Sequence, residues 1–284
     1  MRYKICIACV VFFFAILFLS TPAHAEERLM IFVGAASKPA TEEAVSIFEK
    51  QTGIHVDAVF GGSGYVLSQM VLAKEGDIYF PGSSDYMEKA KREGYVYPET
   101  EEVVVYLVPA INVQKGNPKH IKNLKDLTRK GIKVIIANPE GVCVGAYAVE
   151  IIEKNLTARE KKRFKKNILN YTESCSKTMT AVSLKSADAV IGWRVFHYWD
   201  PETVETIPLK SDEIVRVGYI PIAISTFTRK KALAQRFIDF MLSAEAKSIF
   251  QKYHYFSSPE EAFAWIGLKP VGGEYTVPAE WIRQ

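Results

Sequence analysis

The chain has 284 residues, 48% hydrophobic and 24% charged, with a formal charge of +4 and four cysteines. That length suits one large or two medium domains with a real core. The near-balanced charge, without a long basic stripe, acidic tail or low-complexity block, argues against nucleic acid or a membrane surface as the main partner.

The first residues read as an address. Arg2 and Lys4 precede an almost wholly apolar run over 5–19, and Ala23-His24-Ala25 closes it with small residues two apart. This is the pattern of an export signal cleaved after Ala25, and the run falls short of the roughly 20 residues of a spanning helix. Removing 1–25 takes Arg2, Lys4, Cys6 and Cys9 with it, so the remaining chain carries Cys143 and Cys175. In an oxidising compartment that pair is expected to form one disulfide.

From there the chain alternates between two periodicities. The run 28–34 (RLMIFVG) reads as a strand ending in glycine, and 41–52 places Ala44, Val45, Ile47 and Phe48 at helical spacing. A second round follows, with a strand over 54–60, the turn Gly61-Gly62-Ser63-Gly64 and a helix over 65–74. A third has a strand over 77–80, the Pro81-Gly82 turn and a helix over 84–92. The extended run 103–113 contains Pro109, which a central strand tolerates poorly, and reads as a crossover into a second lobe.

There the rhythm resumes, with strands over 132–137 and 189–193 and helices over 145–154 and 176–185. The run 159–166 (REKKRFKK) is the one basic cluster, read as a solvated helix face or turn. The stretch 215–225, again with an internal proline, mirrors the first crossover and returns the chain, and helices over 230–241 and 244–253 follow. The predicted fold is therefore α/β and two-lobed, each lobe a mainly parallel sheet flanked by helices, with a two-strand hinge. Residues 26–108 and 220–284 are assigned to the first lobe and 109–219 to the second. Hinged lobes of this kind bind ligands in the cleft between them.

Three predicted helix starts follow strands and carry small or polar residues: Ala35-Ala36-Ser37, Gly61-Gly62-Ser63-Gly64 and Gly141-Val142-Cys143-Val144-Gly145. Free amides at the positive end of a helix dipole suit an anion, and the serines add hydroxyl donors. A buried dianion without a countercharge needs several such donors. The histidines are scattered without metal-ligand spacing, and no nucleophile has a visible base.

The segments VGAASKPATEEAVSIFEKQTG, GGSGYVLSQM, DIYFPGSSDYMEKA, NPEGVCVGAYAVE and ADAVIGW, in this order, resemble the molybdate-binding periplasmic proteins of ABC importers, within the type II solute-binding fold. The resemblance implies a cleft holding a small oxyanion, molybdate or tungstate, through Ser37, Ser63, the amide of Val144 and Trp193. It also implies a membrane permease as partner, a periplasmic monomer, and neither cofactor nor enzymatic activity. Trp193 stands where the family commonly has tyrosine, so an indole N–H replaces a phenol. Beside it, Arg194 offers a fixed charge that favours phosphate or a carboxylate. Cys143 occupies a proline-like family position, where a bridge to Cys175 would tie two candidate ligand loops together. Tyr147 and Lys177 complete the candidate set. The alternatives are another anion (phosphate, sulfate or a carboxylate) or ferric iron recruited through Tyr65, Tyr79 and Tyr147, and more remotely a secreted enzyme or a sensory module.

Overall fold

The computed structural model describes residues 27–282, so the export segment read at 1–25 lies outside the described residues. In the first lobe β1 (Arg28–Gly34), α1 (Lys38–Thr52), β2 (His55–Gly61), α2 (Ser63–Ala73), β3 (Ile78–Phe80) and α3 (Ser84–Arg92) lead to β4 (Glu102–Leu107). The second lobe holds β5 (Pro109–Gln114), β6 (Val134–Ala137), α4 (Cys143–Asn155), α5 (Ala158–Asn167), β7 (Ile168–Thr172) and α6 (Cys175–Ser183). It is completed by β8 (Ala189–Trp193), the single turn α7 (Phe196–Trp199) and β9 (Val204–Ile207). The chain returns through β10 (Gly218–Ile224) and ends with α8 (Lys231–Met241), α9 (Ala244–Lys252) and α10 (Pro259–Ile266).

Both lobes have a five-stranded sheet, ordered β2-β1-β3-β10-β4 and β7-β6-β8-β5-β9. Three strands of each pair in parallel, and one strand, β10 or β5, runs against its two neighbours. The sheets are thus mixed, with a parallel core. The apolar run 103–113 breaks at Val108 into strands of different sheets. Pro109 is tolerated because it opens β5, and Pro221 because β10 shifts register at Ile220/Pro221.

Local chemistry explains the element ends. Helix α1 has a proline in its first turn, buries Ala40, Ala44, Val45 and Phe48, and stops at Gly53, whose φ of 72° lets its amide reach the Glu49 carbonyl. Helix α5, the basic run, is held by a capping box in which Thr157 and Glu160 satisfy each other's backbone amides, and Phe164 is its buried anchor. The C-terminal segment departs from the assignment of 220–284 to the first lobe. Ala262, Ile266 and Trp281 are buried with Phe164 and Ile152 in the core of the second lobe. The Trp281 indole donates to Glu153 at 2.8 Å.

Candidate functional site

Strands β1, β2, β3, β6 and β7 deliver their C-terminal ends to the starts of helices α1, α2, α3, α4 and α6. Gly82, before α3, shows how closely these starts meet. A Cβ on it would fall 2.6 Å from the Ala36 Cβ, 2.8 Å from the Cys143 Sγ and 3.5 Å from the Ser63 Oγ. Three helix starts from two lobes therefore converge on one point, and α6 packs against the Ala35–Ser37 turn from across the cleft. Gly62 is equally constrained, since a Cβ there would lie 2.6 Å from the carbonyl oxygens of Gly141 and Glu173. The lobes are joined here by Gly64 N donating to the Gly141 carbonyl at 2.9 Å and by Asn138 Nδ2 donating to the Tyr65 hydroxyl at 2.6 Å.

Most helix starts at this point differ from those of α5, α9 and α10, while peripheral α8 also lacks a side-chain cap and a first-turn acid. Helices α1 to α4 have no side-chain cap, whereas Thr157, Ser243 and Ser258 cap the peripheral α5, α9 and α10. Ser37 and Ser63 are buried, yet neither hydroxyl oxygen caps its own helix. Ser37 Oγ accepts from Thr41 Oγ1 at 3.0 Å, and Ser63 Oγ accepts from Gly82 N at 2.9 Å. Acting as an acceptor leaves the Ser37 hydroxyl proton for a further partner, while the Ser63 hydroxyl also meets the Cys143 thiol. The amides of Cys143 and Val144, first in α4, have no acceptor within the helix. In α6, Ser174 caps the Lys177 amide at 3.2 Å. Acidic side chains, which favour a helix start, are absent from the first turns of α1, α2, α4 and α6 but present in those of α5, α9 and α10.

Beneath the helix starts lie Tyr147 and Trp193, both buried and meeting edge-on with ring centroids 4.9 Å apart. The Tyr147 hydroxyl and the Trp193 Nε1 are buried without a hydrogen-bond partner among the described residues. Behind Tyr147 stands Arg216, which sequence reading did not single out. Its guanidinium lies 4.0 Å from the Tyr147 ring centroid, bonds Asp85 of α3 and Glu150 of α4 at 2.8 Å each, and reaches the Gly273 carbonyl. The signal available was indirect: Glu150 sits one helical turn after Tyr147, and Asp85 follows the Pro81-Gly82 turn. Burial opposes the charge on Arg216, but Tyr147, Asp85 and Glu150 outweigh it and hold its pKa above the ordinary value. Burial pushes the Glu150 carboxyl up against the pull of Arg216. Burial, followed by the neighbouring Cys175, raises the Cys143 thiol well above its ordinary pKa, so it stays neutral at pH 7.

Three expectations fare differently. Cys143 and Cys175 are both buried and adjacent, but they are free thiols with sulfurs 3.6 Å apart, where a disulfide needs about 2.05 Å. The expected bridge is absent because the two helix starts hold the sulfurs at contact distance. Arg194, the first residue of the turn after β8, points away from Trp193. Its guanidinium sits 4.3 Å over the Phe256 ring, between Tyr198 and Trp265, and bonds the His254 carbonyl. Lys177 lies outside the buried cluster, 64% exposed and paired with Glu173. Both line a groove of about 540 Å³ at the cleft mouth, together with Tyr65 and Gln69. Of the tyrosines considered for iron, Tyr79 donates its hydroxyl to the Ser63 carbonyl at 2.9 Å. Among the described residues, no group of three or more histidine, cysteine or acidic side chains is arranged to hold a metal.

Comparison with known proteins places this geometry in context. Residues 29–256 match the family described as bacterial extracellular solute-binding protein. The chain is 24% identical over 242 residues to the molybdate-binding protein ModA of Rhodobacter capsulatus, a match spanning 84% of this chain and 91% of that protein. Among solved structures it is similar to the periplasmic molybdate-binding protein of Azotobacter vinelandii, with a TM-score of 0.70 at 18% identity over 80% of this chain and 98% of that one. The sulfate-binding protein SubI from Mycobacterium tuberculosis H37Rv gives a TM-score of 0.72 at 16% identity, covering 87% and 94%. The structural likenesses establish the two-lobed fold, and the family match runs from β1 to beyond α9. With both lobes directing helix starts into one cleft, this chain belongs to the bacterial extracellular solute-binding proteins.

Proposed function

We propose that the protein captures a fully deprotonated tetrahedral oxyanion, molybdate or tungstate, between its lobes and delivers it to the membrane permease of an ABC importer. In this reading it works in the periplasm as a monomer, after loss of residues 1–25. One observation carries the reading: α1, α2 and α4, whose starts meet in the cleft, are uncapped and lack first-turn acids, while α5, α9 and α10 supply both. A helix that leaves its amides and dipole unsatisfied in a buried place costs stability unless an anion completes it. The orphaned Tyr147 hydroxyl and Trp193 indole add two donors of the same kind. Neither Arg194 nor Arg216 is placed to neutralise the guest, because Arg194 faces away and Arg216 is engaged by two carboxylates. Binding then rests on many neutral donors, each charge-assisted by the dianion.

Neutral donors do not by charge separate molybdate from sulfate, and the likeness to SubI keeps sulfate as the second reading. Thermal melting with molybdate, tungstate, sulfate, phosphate and ferric iron in turn decides between them. A ligand at one hundred times its Kd stabilises the native state by about 2.7 kcal/mol, a shift of several degrees. The expected result is a rise with molybdate and tungstate. A flat response to all five would sink the reading.

A further inference from the structure

Arg216 occupies a place that neither packing nor the cleft donors explain. It lies at the start of the second crossover and is 4% exposed. Its two carboxylate partners belong to different lobes, Asp85 to α3 and Glu150 to α4. Asp85 is itself fixed by the Ser83 hydroxyl at 3.1 Å and the Tyr275 amide at 3.1 Å, and the Ser84 hydroxyl binds the Gly273 carbonyl at 3.0 Å. This ties the C-terminal segment to the same cluster. The guanidinium also covers the face of the Tyr147 ring. On the far side, the Tyr147 hydroxyl has no partner and stands beside Trp193 and Gly218, where a Cβ would come within 3.3 Å of both. A cation over the ring face draws electron density from the phenol and makes its O–H a stronger donor. The ion pairs hold that cation over the ring from both lobes, Asp85 from the first and Glu150 from the second.

We propose that Arg216 is a positioning residue of the anion site: it couples lobe closure to the aim and donor strength of the Tyr147 hydroxyl. The proposal rests on the oxyanion reading given above. It assigns Arg216 no contact with the ligand, and it makes the phenol the element through which the hinge acts.

The test is a double-mutant cycle on the full mature chain, with molybdate titrated by calorimetry against wild type, Tyr147→Phe, Arg216→Lys and the double variant. Loss of one hydrogen bond to a charged guest should cost Tyr147→Phe about ten- to hundredfold in Kd. Arg216→Lys, which keeps the charge but not the fork or the flat cation, should lose affinity by a comparable factor. The double variant should bind no more weakly than the weaker single variant, because both changes remove one donor. Losses that multiply, or full affinity in Arg216→Lys, would overturn the coupling. If Arg216→Lys does not fold, the neutral combination Arg216→Gln with Glu150→Gln takes its place in the cycle with the same expectation. Failure of the wild type to bind molybdate, tungstate, sulfate or phosphate would instead overturn the oxyanion reading itself, an outcome distinct from binding with independent losses.

Discussion

At the scale of single residues, a side chain's contribution depends on which end of its hydrogen bond is already used. Ser63 receives the Gly82 amide on its oxygen, and Ser37 receives the Thr41 hydroxyl. Ser37→Ala and Ser63→Ala should therefore each weaken oxyanion binding by about 1–3 kcal/mol, measurable by titration calorimetry, since a buried charge loses a donor. Unchanged affinity in both would remove them from the site. Gly82→Ala tests the convergence itself. Its methyl group would press on Ala36 and Cys143, so the variant should melt lower and bind more weakly, by about 1–3 kcal/mol of overpacking. The thiols give a further check. Mass spectrometry of the exported protein, alkylated after unfolding without reductant, should count two labelled cysteines, and none would show that they are bridged.

Among the elements, helices differ in what meets their first turn. Ser243 accepts from the Ala246 amide and completes α9 internally, so Ser243→Ala should cost about 1 kcal/mol in chemical denaturation and leave anion affinity untouched. Helices α1, α2 and α4 have no such internal partner, and their completion is assigned to the guest. The C-terminal segment contributes through Glu153, which accepts from Lys161 and from the Trp281 indole. Burial raises its carboxyl pKa, but those two bonds outweigh burial and bring it below the ordinary glutamate value. A folded-state pKa depressed in this way contributes stability above the unfolded pKa and loses it as pH falls through the folded one. Acidification from about pH 5 towards pH 3 should release the tail, read as a red shift of Trp281 emission obtained by difference from Trp281→Phe. In Glu153→Gln the same shift should no longer depend on pH.

On the scale of the whole molecule, two sheets of matching strand order are joined by two crossovers and a returning tail. The crossovers pass through Val108 and Val217, and the lobes also meet through Gly62, Gly64 and Tyr65. The tail spans both lobes. Trp281 and α10 are packed in the second lobe, while Gly273 and Tyr275 bond Ser84 and Asp85 of the first. A chain ending after residue 258 should therefore lose both the second lobe's outer core and part of the Arg216 cluster. Calorimetry should show a lower and broader transition, and an unchanged one would mean that the tail carries no part of either lobe's stability.

The alternating periods of two and 3.6, the glycine turns between them and the two proline-bearing extended runs were enough to read a hinged α/β pair and to place most strands and helices within a few residues. Local sequence dictates these features, because backbone sterics and side-chain burial act over one or two turns. The helix starts at Ser37, Ser63 and Val144 were legible for the same reason, since each follows a strand. What spacing does not contain is the direction in which a side chain leaves its element and what it meets from a hundred residues away. Tertiary packing turned Arg194 outward onto Phe256, left the two cysteines as neighbouring thiols, carried the tail across to the second lobe, and brought Asp85, Glu150 and Arg216 together behind Tyr147. Those outcomes depend on closing loops between distant segments, and only the completed fold determines which distant groups become neighbours.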